Sequence, residues 1–271
     1  YHCFVCSQGT GGGWDDVREV VSSNGATWSE PTIILTATGS EGQNEAACDP
    51  SIAYLNGYYY LAYSSAIETG SGVYQTVIQI ARATAIDGPY LTWSQTGEWQ
   101  ANPEFPAVVI YPRHIITTGN TGYGAGQQVI VPVGDELYMW WNDDSADPGG
   151  TLTVYFATSS DGTTWSTPVA TNFTNVGDVK WNGSQFVMLR MEGQFTTAPY
   201  LDVSFSSDGL TWSGTTVIAH LAPYSSNPGM LGDEIGNLLA PTLVGYAAPY
   251  DFADQLDRGQ WDLYGEWFTL P

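Results

Sequence analysis

Lysine is almost absent from this chain. Lys180 is the only one, and six basic residues stand against 28 acidic ones, for a formal net charge of −22. A surface of that sign repels phosphate backbones, which excludes nucleic acid as a partner and an anionic membrane surface as a docking site. Neutral sugars, cations and basic proteins remain, and the acidity itself suits solubility in an extracellular or salty setting. No apolar run approaches the roughly 20 residues that a membrane-spanning helix requires. No secretory signal is recognisable, and the abrupt start at Tyr1-His2-Cys3 reads as a processed form or a fragment of a secreted chain. Cysteine is also scarce. Cys3, Cys6 and Cys48 are too few for a disulfide scaffold. Cys3 and Cys6 lie three apart on an expected strand and so face opposite sides. One of them is within reach of Cys48, leaving the other as an odd thiol. A Cys-x-x-Cys zinc site would need a second ligand pair, which the sequence lacks.

Aromatic residues are plentiful: 11 Trp and 17 Tyr in 271 residues, with 43% hydrophobic content, exclude disorder and allow a large core. They recur in two hallmarks. The first is an Asn-Gly hairpin, clearest in Asp49-Pro-Ser-Ile-Ala-Tyr-Leu-Asn-Gly-Tyr-Tyr-Tyr-Leu-Ala-Tyr63. Asn and Gly both tolerate the positive φ of a tight hairpin turn, and Pro50 costs least at a strand start. The second is Ser-Ser-Asn/Asp-Gly-x-Thr-Trp, ending at Trp28, Trp165 and Trp212, with a looser copy ending at Trp93. There Asp or Asn bonds back to its own backbone, Gly supplies positive φ, and Trp packs beneath the turn.

Together the hallmarks define a four-strand unit of about 50 residues. The second unit has strands at 49–55, 58–64 and 76–84 and after Trp93. The third has 127–133, 136–142, 152–158 and a strand after Ser166. The fourth has 178–181, 185–191, 201–205 and 215–219, and the fifth 231–235, 242–247 and 261–268. In the first unit, 1–8 matches a second strand, 16–21 a third and 31–36 a fourth, so its inner strand is missing. Small antiparallel sheets bury both faces when arranged radially. The sequence therefore predicts an all-β, five-bladed β-propeller over 1–271 as a single domain, with a first blade lacking its inner strand. The long connection over 98–123 exceeds an ordinary loop and marks a functional segment.

In such a fold one rim collects the connections into each inner strand and those between the second and third strands. That rim places Asp49, Gln127, Gln128, Asp143, Asp144, Asp178, Arg190, Glu192 and Glu234 together, with Arg113 and His114 arriving from the long connection. Converging carboxylates suit glycosidic bond cleavage, in which one carboxyl donates a proton and another acts as base or nucleophile. Asp49 and Asp178 are the expected pair flanking the channel, with Glu192 or Glu234 as proton donor. Arg113, His114, Gln127, Gln128, Asp143, Asp144 and Arg190 are the expected substrate contacts.

Asp49-Pro-Ser-Ile with Asn56-Gly-Tyr-Tyr-Tyr-Leu61, and Ala81-Arg-Ala followed by Asp87-Gly-Pro-Tyr90, resemble the blade signatures of five-bladed propeller glycosidases, notably glycoside hydrolase family 43 and its invertase and fructanase relatives. The Trp turn resembles the Asp-box hairpins of sialidase-like propellers. The resemblance implies an Asp base on the first blade, an Asp modulator on the second and a Glu acid on the third. Counted from the N-terminus, Asp49 falls at the modulator position, and the third blade offers Gln127 and Gln128. Counted with Asp49 as base, the next two inner strands offer Gln128 and Asp178. Neither register carries the whole set. The expected function is a secreted carbohydrate-active protein, a glycoside hydrolase or a degenerate relative acting on a poly- or oligosaccharide. The rival is a non-catalytic carbohydrate-binding or self-assembling extracellular module, associating through the open first blade. No cofactor is required, no catalytic metal is expected, and calcium is compatible with the abundant oxygen ligands.

Overall fold

A computed structural model of the protein describes residues 1–9, 14–39, 44–119, 123–144, 152–249 and 261–270. Every regular element among them is a strand. Five antiparallel sheets follow one another along the chain, the blade set of a five-bladed β-propeller. The first holds β1 (His2–Gln8), β2 (Asp15–Val21) and β3 (Thr32–Thr36). The second holds β4 (Cys48–Leu55), β5 (Tyr58–Gly70), β6 (Val73–Ala83), β7 (Leu91–Trp93) and β8 (Trp99–Gln100). The third holds β9 (Ala125–Val133), β10 (Glu136–Asp143), β11 (Thr153–Ser159) and β12 (Val169–Thr174). The fourth holds β13 (Asp178–Trp181), β14 (Phe186–Glu192), β15 (Tyr200–Ser206) and β16 (Thr216–His220), and the fifth β17 (Ser226–Met230), β18 (Thr242–Pro249) and β19 (Trp261–Phe268). The chain divides into two compact units, Tyr1–Val169 and Ala170–Pro271.

The first sheet has three strands, and no described strand pairs with the edge of β1 opposite β2, where an inner strand would lie. The Asn56-Gly57 turn sets the register Leu55↔Tyr58, Tyr54↔Tyr59 and Ala53↔Tyr60, as period-2 alternation around a tight turn requires. Several strand bounds differ from the sequence reading, and β8 adds a fifth strand to the second sheet where four were expected. The β5–β6 hairpin runs to a turn at Ser71-Gly72, and the inner strand of the fifth sheet is Ser226–Met230, not 231–235.

Within Tyr1–Val169 the core joins Ala62, Ile80, Ile130, Met139 and Trp141, and a second cluster joins Val17, Leu61, Tyr63 and Tyr90. Within Ala170–Pro271 it joins Leu189, Val203, Val244 and Tyr246. Trp140 and Trp141 are both fully buried and serve packing.

The Trp turns are built as their chemistry dictates. Asp161 Oδ1 accepts the N–H of Thr163 at 2.7 Å and of Thr164 at 2.8 Å, and the Trp165 indole N–H donates to the Gly162 carbonyl at 3.0 Å. Asp208 repeats this with Leu210 and Thr211, and Trp212 with Gly209. Gly162 has φ +77°, and a Cβ there would lie 2.7 Å from the Tyr60 ring. Gly162→Ala is therefore expected to lower stability by about 1–3 kcal/mol, read as a fall in the urea midpoint.

The same turns give a pH dependence. Backbone N–H groups of Thr211 and Leu210 hold the Asp208 carboxyl below its ordinary value. At Asp161 partial burial works the other way, and the bonds from Thr164 and Thr163 outweigh it. A carboxyl depressed in the folded state stabilises above its unfolded value of about 4 and loses that contribution as pH falls through the folded value. Stability is expected to fall below about pH 4, less steeply in Asp208→Asn, as acid titrations with urea would show.

Candidate active site

In the first unit, β4 and β9 open in the same unusual way. Asp49 has φ 47° and Gln127 φ 49°, both in the left-handed region that non-glycine residues seldom occupy. The β4–β5 register slips between Cys48 and Ser51, and the β9–β10 register slips opposite Trp140 and Asn142. Each slip is a two-residue bulge, Asp49-Pro50 in one strand and Gln127-Gln128 in the other. Bulges of this kind re-aim side chains at sheet ends. Side chains bind the two together. Gln128 Nε2 donates to the Asp49 carbonyl, and Gln128 Oε1 accepts the Ser64 hydroxyl at 3.0 Å. Gln127 Oε1 accepts Asn142 Nδ2 at 2.8 Å.

Asp143 and Asp144 close the end of β10, and both are buried, at 2% and 8% exposure. Asp143 Oδ2 accepts the Arg113 N–H at 2.9 Å, and Asp144 Oδ1 accepts the Gly124 N–H at 2.9 Å. The long connection is thereby strapped to the sheets. Gln75 adds two bonds to it, donating to the His114 carbonyl and accepting the Ile116 N–H. Gly124 is required there, because a Cβ would lie 2.5 Å from the Thr76 carbonyl. The side chains of Arg113 and His114 are exposed, and the Arg113 guanidinium lies 5.6 Å from the centre of the Tyr155 ring.

Tyr123 is the group that sequence reasoning missed. Its hydroxyl is buried without a hydrogen-bond partner. Burial, and then the carboxylates of Asp49, Asp144 and Asp143, raise it well above the ordinary tyrosine value. The phenol thus stays neutral and marks where three acidic residues from two strand ends share one environment. Its position immediately before Gly124 carries no sequence signal beyond the long connection itself.

In the second unit the expected residues separate. Asp178 is buried. Its Oδ1 meets Lys180 Nζ at 2.6 Å, and its Oδ2 accepts the Met230 N–H at 2.6 Å, pinning β17 to β13. Arg190 forms a two-pronged pair with Asp202, at 2.9 and 2.8 Å. It also reaches Glu192 at 2.9 Å and the Thr174 carbonyl at 3.0 Å, and stacks over Phe173. Glu192 lies at the Asp178 end of this sheet. Glu234 does not, which corrects the expectation for it. It is exposed in the β17–β18 connection, whose Gly236 and Leu238 bond to Trp181 at the opposite end of β13. The strand start in its place is Ser226-Asn-Pro-Gly-Met230, where Asn227 has φ 51° and the register slips just as at Asp49-Pro50.

The architecture has well-populated parallels. A thermostable family-43 glycoside hydrolase superposes with TM-score 0.65 at 14% identity, covering 100% of this chain and 86% of the other. Fructan 1-exohydrolase IIa from Cichorium intybus gives 0.63 at 13%, covering 98% of this chain and 53% of its own. An N-acetylgalactosamine deacetylase from F. plautii, solved with blood group B trisaccharide, gives 0.59 at 17%, covering 91% and 79%. At these identities the likeness establishes the five-bladed propeller fold. No protein-family model and no curated protein sequence matches the chain.

Proposed function

We propose that this is a secreted carbohydrate-active protein that cleaves glycosidic bonds in a neutral poly- or oligosaccharide, with Asp49 as the carboxylate that takes the proton of the attacking water. The observation carrying this reading is the bulge at Asp49, held through its carbonyl by Gln128 and sharing the surroundings of the Tyr123 phenol with Asp143 and Asp144. A strained backbone conformation at a strand opening is retained where it aims a functional side chain. Arg113, His114 and Trp14, which is 51% exposed, offer hydrogen bonds and a stacking face to sugar. The acidic surface tolerates neutral glycans and repels anionic ones. The Cys6–Cys48 disulfide suits an oxidising compartment. Glycosidases of the same fold support the substrate class. The test is a screen of neutral plant, algal and bacterial polysaccharides for release of reducing ends. Release from at least one is expected, and neither release nor binding across the panel contradicts the reading.

A second reading has its own support. Gln127 and Gln128 stand where the resemblance implies an acid, and the charged candidates of the second unit are already ion-paired, Asp178 with Lys180 and Arg190 with both Glu192 and Asp202. A binding module would retain glycan affinity without releasing products. Self-association through the edge of β1 would appear as a concentration-dependent dimer in sedimentation.

A further inference from the structure

Cys6 and Cys48 are joined, closing a loop of 42 residues in sequence separation and linking the first sheet to the second. A third ligand-bearing group stands beside them. The Asp15 carboxylate and the two sulfurs all lie within 4.8 Å of one another, and none of the three residues is fully buried. The strands explain the convergence. Gln8 pairs with Asp15 and Cys6 with Val17, so Cys6 and Asp15 are diagonal neighbours on one face of the first sheet. Cys48 arrives on β4, and the Ala47 N–H donates to the Asp15 carbonyl at 3.1 Å, which fixes the backbone of Asp15 beside it.

We propose that, once the disulfide is reduced, Cys6, Cys48 and Asp15 form a binding site for a divalent cation of the zinc class. Reduction by a thiol or phosphine supplies two electrons and two protons, breaking the S–S bond to give two thiols. The cation then displaces both thiol protons and binds two thiolates and one carboxylate. Two sulfurs and one oxygen suit zinc, whose tetrahedral ligand atoms sit roughly 3.3–3.8 Å apart, inside the span seen here. Three protein ligands leave the fourth position to water. Cys6 and Cys48 therefore clamp the two sheets covalently when oxidised and, with Asp15, through a metal when reduced. Cys3 takes no part. It faces away from Cys6, and burial pushes its thiol up to about 11, so it stays protonated and unreactive.

The test uses the full chain carrying Cys3→Ser, reduced with a phosphine and dialysed against zinc or cobalt. One ion per chain is expected after reduction and none before it, with thiolate-to-cobalt charge-transfer absorption in the cobalt form. Asp15→Asn is expected to weaken binding on the order of tenfold or more, and Cys48→Ser to abolish it. Less than one ion per reduced chain, or unchanged affinity in Asp15→Asn, overturns the proposal. If the reduced chain unfolds, zinc supplied before the phosphine is expected to keep it folded, and failure to do so overturns it equally.

Discussion

Arg190→Met is expected to destabilise the protein by about 3–5 kcal/mol, the cost of removing one partner from a buried ion pair. The guanidinium carries unusual responsibility. It satisfies both oxygens of Asp202, a carboxylate only 1% exposed, and reaches Glu192, the Thr174 carbonyl and the Phe173 ring. Methionine keeps much of the side chain's volume but leaves Asp202 charged and unpaired inside β15. The neighbouring strand cannot supply a substitute, because Lys180, the one lysine, already serves Asp178. Arg190→Met with Asp202→Leu is expected to recover a good part of the loss, since replacing both members of a buried pair with apolar groups removes the stranded charge. Urea unfolding of the two variants and the parent distinguishes this from a simple packing defect, which the second substitution would worsen.

The second large effect concerns chemistry. Asp49→Asn is expected to lower turnover about 10²–10⁴-fold, the range typical of a lost general acid or base, while leaving the fold intact. Asparagine tolerates the left-handed conformation at φ 47° at least as well as aspartate. The bond from Gln128 goes to the backbone carbonyl, which the substitution does not touch. Substrate affinity should change little. Asp143→Asn behaves differently on this account: its carboxylate accepts the Arg113 N–H, so stability and activity are expected to fall together.

Much of the fold was legible because its devices are local. An Asn-Gly pair sets the register of its own hairpin, and an Asp three residues ahead of its last N–H partner builds a Trp turn unaided. The blades from Cys48 to His220 follow from these signals in order and number, although β5 runs on to Gly70 and β8 was not legible. The fifth inner strand was not legible. Ser226-Asn-Pro-Gly-Met230 carries a proline and a glycine and reads as a loop, and its β pairing comes from β18, with Met230 opposite Val244 and Ser226 opposite Ala247. The apolar Leu231 and Ile235 drew the strand, and with it Glu234, to the wrong end of the sheet.

The candidate site was legible in membership more than in role. Asp143-Asp144 reads locally as a solvated acidic turn, yet both are buried because N–H groups at Arg113 and Gly124 meet them. Such pairings over 20 or 30 residues leave no local pattern. Asp178 reads as a channel carboxylate, and tertiary structure engages it with Lys180 and the Met230 N–H. Asp49 alone combines a strand-opening position, a recognisable Asp-Pro motif and a strained backbone that the sequence could only suggest.

The measurement that bears most directly on the proposed activity is paired single-turnover hydrolysis by the parent and Asp49→Asn, on whichever neutral polysaccharide the parent cleaves. The expected result is a rate loss of at least about 100-fold, with melting temperature and glycan affinity unchanged. Equal rates in the two proteins would contradict a catalytic role for Asp49 and with it the account of this site.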